Sequence, residues 1–195
     1  QLEEASRLLG YSKENIKNAY TTVVNKFNQL NDTDYIVKIG QDLYPSLLEK
    51  TENAPKFLFM RGNVDLLKHP IISVVGTRNP SAEGVVKARK LASILGKFRI
   101  VVASGLAKGI DRAAHEGALE ANNPTIAVIG TPLNQNYPKE NAELQEKISQ
   151  KCLVISQFAP STPVQRWNFP ARNAVMSGIS LATVIIEASE TSGAL

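Results

Sequence analysis

The chain reads as an α/β protein: a doubly wound, mostly parallel sheet preceded by a small helical module. Three observations carry that reading. Short, almost purely apolar runs recur after residue 70, as strands buried on both faces require. Stretches of helix length and helix composition separate those runs. In the first thirty residues the apolar positions Leu2, Ala5, Leu8 and Leu9, then Ile16, Tyr20, Val23, Val24, Phe27 and Leu30, recur at three-to-four spacing.

Taken in order, Gly10 followed by Ser12 predicts one helix end and a new N-cap, hence two helices near the start. Residues 35–39 read as a short strand, and the stretch through TENAPKFLFMRGN reads as a connecting region because Pro45 and Pro55 forbid a continuous helix. The predicted strands are IISVV (71–75), RIVVA (99–103), TIAVI (125–129), CLVIS (152–156) and ATVIIEA (182–188). Helices are expected over about 81–96, 110–121, 140–151 and 172–179, joined to the strands by right-handed crossovers. The expected domains are a helical module over 1–34, a connecting segment packed on the main domain over 35–70, and the sheet domain over 71–195.

A chain of 195 residues with 43% hydrophobic and 21% charged residues has the composition of a globular protein, which excludes disorder, collagen and coiled coil. No apolar run approaches membrane-span length, and QLEEASRLLG lacks the basic start of a signal peptide, so a cytoplasmic protein is expected. One cysteine, Cys152, and two histidines, His69 and His115, leave no disulfide and little for a metal site; no cofactor is expected. Residues 1–70 balance nine basic against nine acidic side chains, so the whole +4 excess lies after them. That distribution is compatible with a phosphate-rich partner.

Ligands of open parallel sheets bind at the carboxyl ends of the strands. There the sequence places small residues: Gly76-Thr77-Arg78, Ser104-Gly105, Gly130-Thr131, Ser156-Gln157 and, in the tail, Ser192-Gly193. Small residues admit a ligand to the backbone, and a helix N-terminus behind them favours an anion. Neither G-x-G-x-x-G nor G-x-x-x-x-G-K-[ST] nor G-x-S-x-G occurs, which argues against dinucleotide oxidoreductases, P-loop NTPases and serine hydrolases. Asp111 and His115 share one helix face; such a pair is either acid/base machinery or, more commonly, a structural contact. Arg78, Lys139 and Arg172 follow strand ends or open helices, where they add charge to backbone donors, and Tyr137, Phe158, Trp167 and Phe169 offer stacking surfaces nearby.

GTRNPS (76–81), ASGLAKGIDRAAHEGAL (103–119), TIAVIGTPLNQNYPKEN (125–141), NFPARN (168–173) and IIEASETSGAL (185–195) stand in the order and spacing of the DNA-processing protein A family, DprA or Smf, which this chain resembles from about residue 42 onward. The resemblance implies a Rossmann-like domain that binds single-stranded DNA and, as a homodimer, loads a RecA-type recombinase onto it in natural transformation, without catalysis. It also implies that Arg78 is a phosphate-binding arginine, that Lys139 is a second basic contact, and that Ser104, Gly105 and Asn173 complete a pocket. With the neighbouring turn residues, the expected DNA-binding set is Gly76, Thr77, Arg78, Ser104, Gly105, Lys108, Lys139, Phe169, Arg172 and Asn173. Two positions depart from the family pattern: Ala174 replaces a second arginine and Gln157 replaces a glutamate. Family members continue past the position of Leu195, so the sheet domain is expected to be truncated there. The competing function is nucleotide binding, or nucleoside-monophosphate phosphoribohydrolysis of the kind found in the wider fold group. Those hydrolases use a P-G-G-x-G-T-x-x-E loop, and the chain carries Glu187 at a strand end with no such glycine loop.

Overall fold

A computed structural model describes residues 2–189, which divide into two units between Asp32 and Thr33. In the first, α1 (Leu2–Leu9) ends at Gly10, whose φ of +70° suits glycine, and Ser12 caps α2 (Lys13–Phe27) by accepting from the Asn15 N–H at 3.2 Å. Ile16, Val24 and Phe27 are half-buried, and α2 has no fully buried residue. A unit this short has too little chain to enclose a core.

The second unit runs β1 (Tyr35–Lys38), α3 (Ser46–Glu49), β2 (Phe57–Gly62), β3 (Ile71–Gly76), α4 (Ala82–Lys97), β4 (Val101–Ser104), α5 (Ile110–Glu120), β5 (Thr125–Ile129), α6 (Ala142–Lys151), β6 (Leu153–Ser156), α7 (Asn168–Gly178) and β7 (Ala182–Ile186). They form one seven-stranded sheet in the order β1-β2-β6-β5-β4-β3-β7. Five strands, β7 through β6 in that order, are parallel, while β2 is antiparallel to both β6 and β1. Strands β3 to β6 step one way across the sheet, and β7 then returns to the far side of β3. Right-handed crossovers therefore put α4, α5 and α6 on one face and α7 on the other. Two successive residues of β3 record the split: the Ser73 hydroxyl donates to the Met176 carbonyl of α7 at 3.3 Å, and Val74 packs into the cluster with Ala88, Ala92, Ala113 and Ala114 of α4 and α5. The chain is doubly wound.

The strand expected over 35–39 is β1, and the correction concerns the stretch after it, which reads as a connector but supplies a second strand, β2, to the sheet. Leu58, Phe59 and Met60 are all buried, as a strand covered on both faces must be; Pro45 and Pro55 only limit the helix between the strands to one turn. The last predicted helix begins at Asn168 rather than 172, since Pro170 falls in the first turn, where its missing N–H has no intrahelical partner to lose. Among the described residues no helix is long and apolar enough to cross a membrane, and no His/Cys/Asp/Glu group could hold a metal.

Candidate nucleic-acid interface

The parallel strands bring the ends of β3, β4, β5, β6 and β7 to one edge, and the turns read as anion sites meet there. Local chemistry fixes each turn. At the end of β3 the Thr77 carbonyl accepts from the Ile110 N–H of α5 at 3.2 Å. Gly109, with φ of +77°, makes that approach possible: a Cβ would lie 2.4 Å from the same carbonyl oxygen. Ser81 caps α4 by accepting from the Gly84 N–H at 3.0 Å.

The protein's own carboxylates already engage backbone N–H groups just ahead of α4 and α5. At α5, Asp111 is 6% exposed and accepts from the Ala107 N–H at 3.3 Å. Burial pushes its carboxyl above the ordinary aspartate value, against the pull of Arg172 and of the Ala107 and Gly105 N–H groups. At α4, the Glu187 carboxylate accepts from the Ser81 N–H at 3.0 and 3.1 Å and from the Ser81 hydroxyl at 2.8 Å. These contacts spend the N–H groups of Ser81 and Ala107, just ahead of the two helices, on internal carboxylates.

Arg172 is spent internally too. Its side chain is buried, 4% exposed, with Nη1 donating to the Val128 carbonyl at 2.6 Å and to the Gly105 carbonyl, and Nε donating to Asn173 Oδ1 at 3.0 Å. It laces the ends of β4 and β5 to α7, and Gly105 is required beneath it because a Cβ there would stand 2.2 Å from Nη1. Burial lowers its pKa, Asp111 opposes that shift, and the neighbouring Arg78 adds to it. Ser104 is likewise buried, its hydroxyl donating to the Val74 carbonyl at 2.6 Å. The Asp111–His115 pair is structural: the Thr125 hydroxyl donates to the Val102 carbonyl at 2.8 Å and so accepts from His115 Nδ1, also at 2.8 Å. Burial, then the charge of Arg172, holds the His115 pKa at about 3.

Above this floor lies a cleft of about 940 Å³, lined by Gly76, Thr77, Arg78, Ala107, Asp111, Tyr137, Arg166, Phe169, Arg172 and Asn173 among others. Arg78 is exposed, with its guanidinium carbon 5.8 Å from the centre of the Phe169 ring. Tyr137 stands 5.1 Å from that ring, centre to centre and tilted by 40°. Phe169 is seated against backbone, since a Cβ on Gly130 would come within 2.8 Å of it. A cation and two aromatic rings thus share one open wall.

Of the expected set, Gly76, Thr77, Arg78, Phe169, Arg172 and Asn173 line the cleft, and Ser104 and Gly105 lie beneath it. Lys108, in the turn before α5, and Lys139, at the start of a short 3-10 helix over Lys139–Asn141, are exposed outside it, with Lys108 paired to Glu140 at 2.7 Å. Phe158 is buried and packs edge-on against Trp167 at 5.9 Å, so neither lines the cleft. Ser192 and Gly193 fall outside the described residues. Sequence reasoning missed Arg166, whose only signal is a basic residue just ahead of a helix at a strand's carboxyl end.

Residues 35–195 match the family model for DNA recombination-mediator protein A. The chain belongs to that family. It is 44% identical over 157 residues to DNA processing protein DprA of Streptococcus pneumoniae, covering 80% of this chain and 55% of the relative. It is 32% identical over 195 residues to protein Smf of Escherichia coli, covering all of this chain and 50% of that protein. The chain therefore spans about half the length of these two curated relatives. The X-ray structure of the S. pneumoniae DprA superposes with a TM-score of 0.82 at 36% identity, over 100% of this chain and 69% of that one. A structure of DNA processing protein A from Helicobacter pylori, described for its single-stranded DNA binding mode, gives 0.75 at 28% identity over 82% and 72%.

Proposed function

We propose that the cleft binds single-stranded DNA, taking backbone phosphates on Arg78 and stacking a base on Phe169. The observation that carries this is the Arg78–Phe169–Tyr137 wall, a charge and two π-faces within stacking distance of one another at the carboxyl edge of the sheet. Phosphate contacts give affinity with little base information, and every base has a face to stack, so binding is tolerant of sequence. Arg166 adds charge within the cleft, and Lys139 extends it outside. Family membership supports the same reading, as does the relative described for its single-stranded DNA binding mode.

The role is binding rather than catalysis. Glu187, the one residue a hydrolase reading would recruit, has both carboxylate oxygens engaged by Ser81. For the whole protein we propose a homodimeric mediator that loads a RecA-type recombinase on the strand; the match to DNA recombination-mediator protein A supports the mediator role. The test titrates labelled oligothymidine against a duplex of equal length, and against nucleoside monophosphates, at one salt concentration. Clearly tighter binding of the single strand, with no base released from the monophosphates, is the expected result. Equal affinity for single strand and duplex overturns it, because stiff duplex cannot turn its phosphates into a cleft without being deformed.

A further inference from the structure

Arg78 stands on a turn that runs from Gly76, the last residue of β3, to Ser81, just ahead of α4. A flexible turn would present its guanidinium in many places, so something must hold it. Both ends of the turn are tied to a single residue from another part of the chain. At the near end the Thr77 N–H donates to the Glu187 carbonyl at 2.8 Å. At the far end the Ser81 N–H and hydroxyl donate to the Glu187 carboxylate at 3.0, 3.1 and 2.8 Å, and that hydroxyl also accepts from Gly84. Glu187 adopts φ of +57°, a conformation that costs a residue with a side chain and persists where surrounding contacts impose it. Gly84 leaves the room for the carboxylate: a Cβ there would lie 2.2 Å from Oε2.

We infer that Glu187 is a positioning residue for DNA binding, clasping the 76–81 turn at both ends so that Arg78 is held over Phe169. The inference rests on the binding reading proposed above. It makes a prediction of opposite sign to simple electrostatics. Glu187 is an exposed negative charge beside the proposed phosphate site, so if it acted only through charge, removing it would strengthen DNA binding.

The experiment measures oligothymidine affinity across a salt series, with amide exchange of the 76–81 turn, for the wild type, Glu187→Ala, Glu187→Gln, Gly84→Ala and Arg78→Ala. A turn that holds its binding arrangement only about a tenth of the time weakens apparent affinity about tenfold, which is the loss expected for Glu187→Ala. Glu187→Gln, which keeps an acceptor oxygen for Ser81, recovers part of that loss. Gly84→Ala evicts the carboxylate while retaining its charge and improves helix propensity, so it reproduces the loss in a chain whose fold is not at risk. In Glu187→Ala and Gly84→Ala the Ser81 amide exchanges faster and the salt slope stays that of wild type, whereas Arg78→Ala flattens the slope. Equal or tighter binding by both Glu187 variants, or wild-type exchange at Ser81 with unchanged affinity in Gly84→Ala, overturns the clasp. A wild-type protein that fails to bind oligothymidine overturns the function itself, and the exchange rates then report the tether separately.

Discussion

The two helix starts at the carboxyl edge, α4 after β3 and α5 after β4, are chemically alike and do different work. Each follows a turn of small residues, each has a carboxylate holding a backbone N–H just ahead of the helix, and each has an arginine close by. At α5 the carboxylate, Asp111, and the arginine, Arg172, are both nearly inaccessible, and the arginine donates to the Gly105 and Val128 carbonyls and to Asn173 Oδ1. At α4 the arginine, Arg78, is exposed above an aromatic ring and faces open space. Burial decides between the roles. A charge taken out of water has to be neutralised internally, and so becomes structure, while one left at the rim can be neutralised by a ligand.

The largest effect that would break this comparison lies in the buried half. Arg172→Leu leaves Asp111 in the core without its counter-charge and should cost about 3–5 kcal/mol of stability, read as a lowered urea midpoint. A folded, fully stable Arg172→Leu protein that merely binds DNA less well would mean the two arginines are equivalent after all.

Next comes the pH dependence of the same floor. His115 is neutral in the fold with its pKa held at about 3, well below the free value of 6.5. Between those values the unfolded chain takes up a proton that the fold refuses. The contribution is therefore intact above pH 6.5 and is lost on acidification, at up to about 1.4 kcal/mol per pH unit. His115→Gln should flatten the stability profile over that window, and an unchanged profile would remove His115 as its source.

On the exposed side the expected effects fall on binding. Phe169→Ala should weaken oligothymidine binding by about 1–3 kcal/mol while leaving the unfolding midpoint close to wild type, as expected if the ring stacks on a base. The smallest effect sharpens the comparison most: Arg78→Ala should reduce the salt slope by about 0.7, the value for one single-strand phosphate contact, with no loss of stability. An unchanged slope in a folded Arg78→Ala protein takes Arg78 out of the site.

The parallel strands are legible in the sequence because Val/Ile runs such as IISVV and TIAVI have one physical use, burial on both faces. Strand β2 is obscured by its neighbours, since Pro55 just ahead of FLFM reads as punctuation although it only marks where the strand begins. At the site, Arg78 and Phe169 stand out in their motifs, and both line the cleft. Arg172 sits in an equally suggestive motif, NFPARN, and nothing in that string distinguishes an arginine pointing to solvent from one under the floor.

The sequence by itself determined the alternation of strands and helices, the capping residues Ser12 and Ser81, and the gathering of small and basic residues at the strand ends, because periodicity, propensity and turn chemistry act over a few neighbouring residues. Tertiary structure decided which charges are spent internally. Asp111 meets the N–H of Ala107 within its own turn, but the Arg172 that offsets it comes from α7, and Glu187 reaches Ser81 across 106 positions. Pairings of that range depend on how the sheet is wound, and the degree of burial they impose is a property of the assembled layers that no local stretch of chain carries.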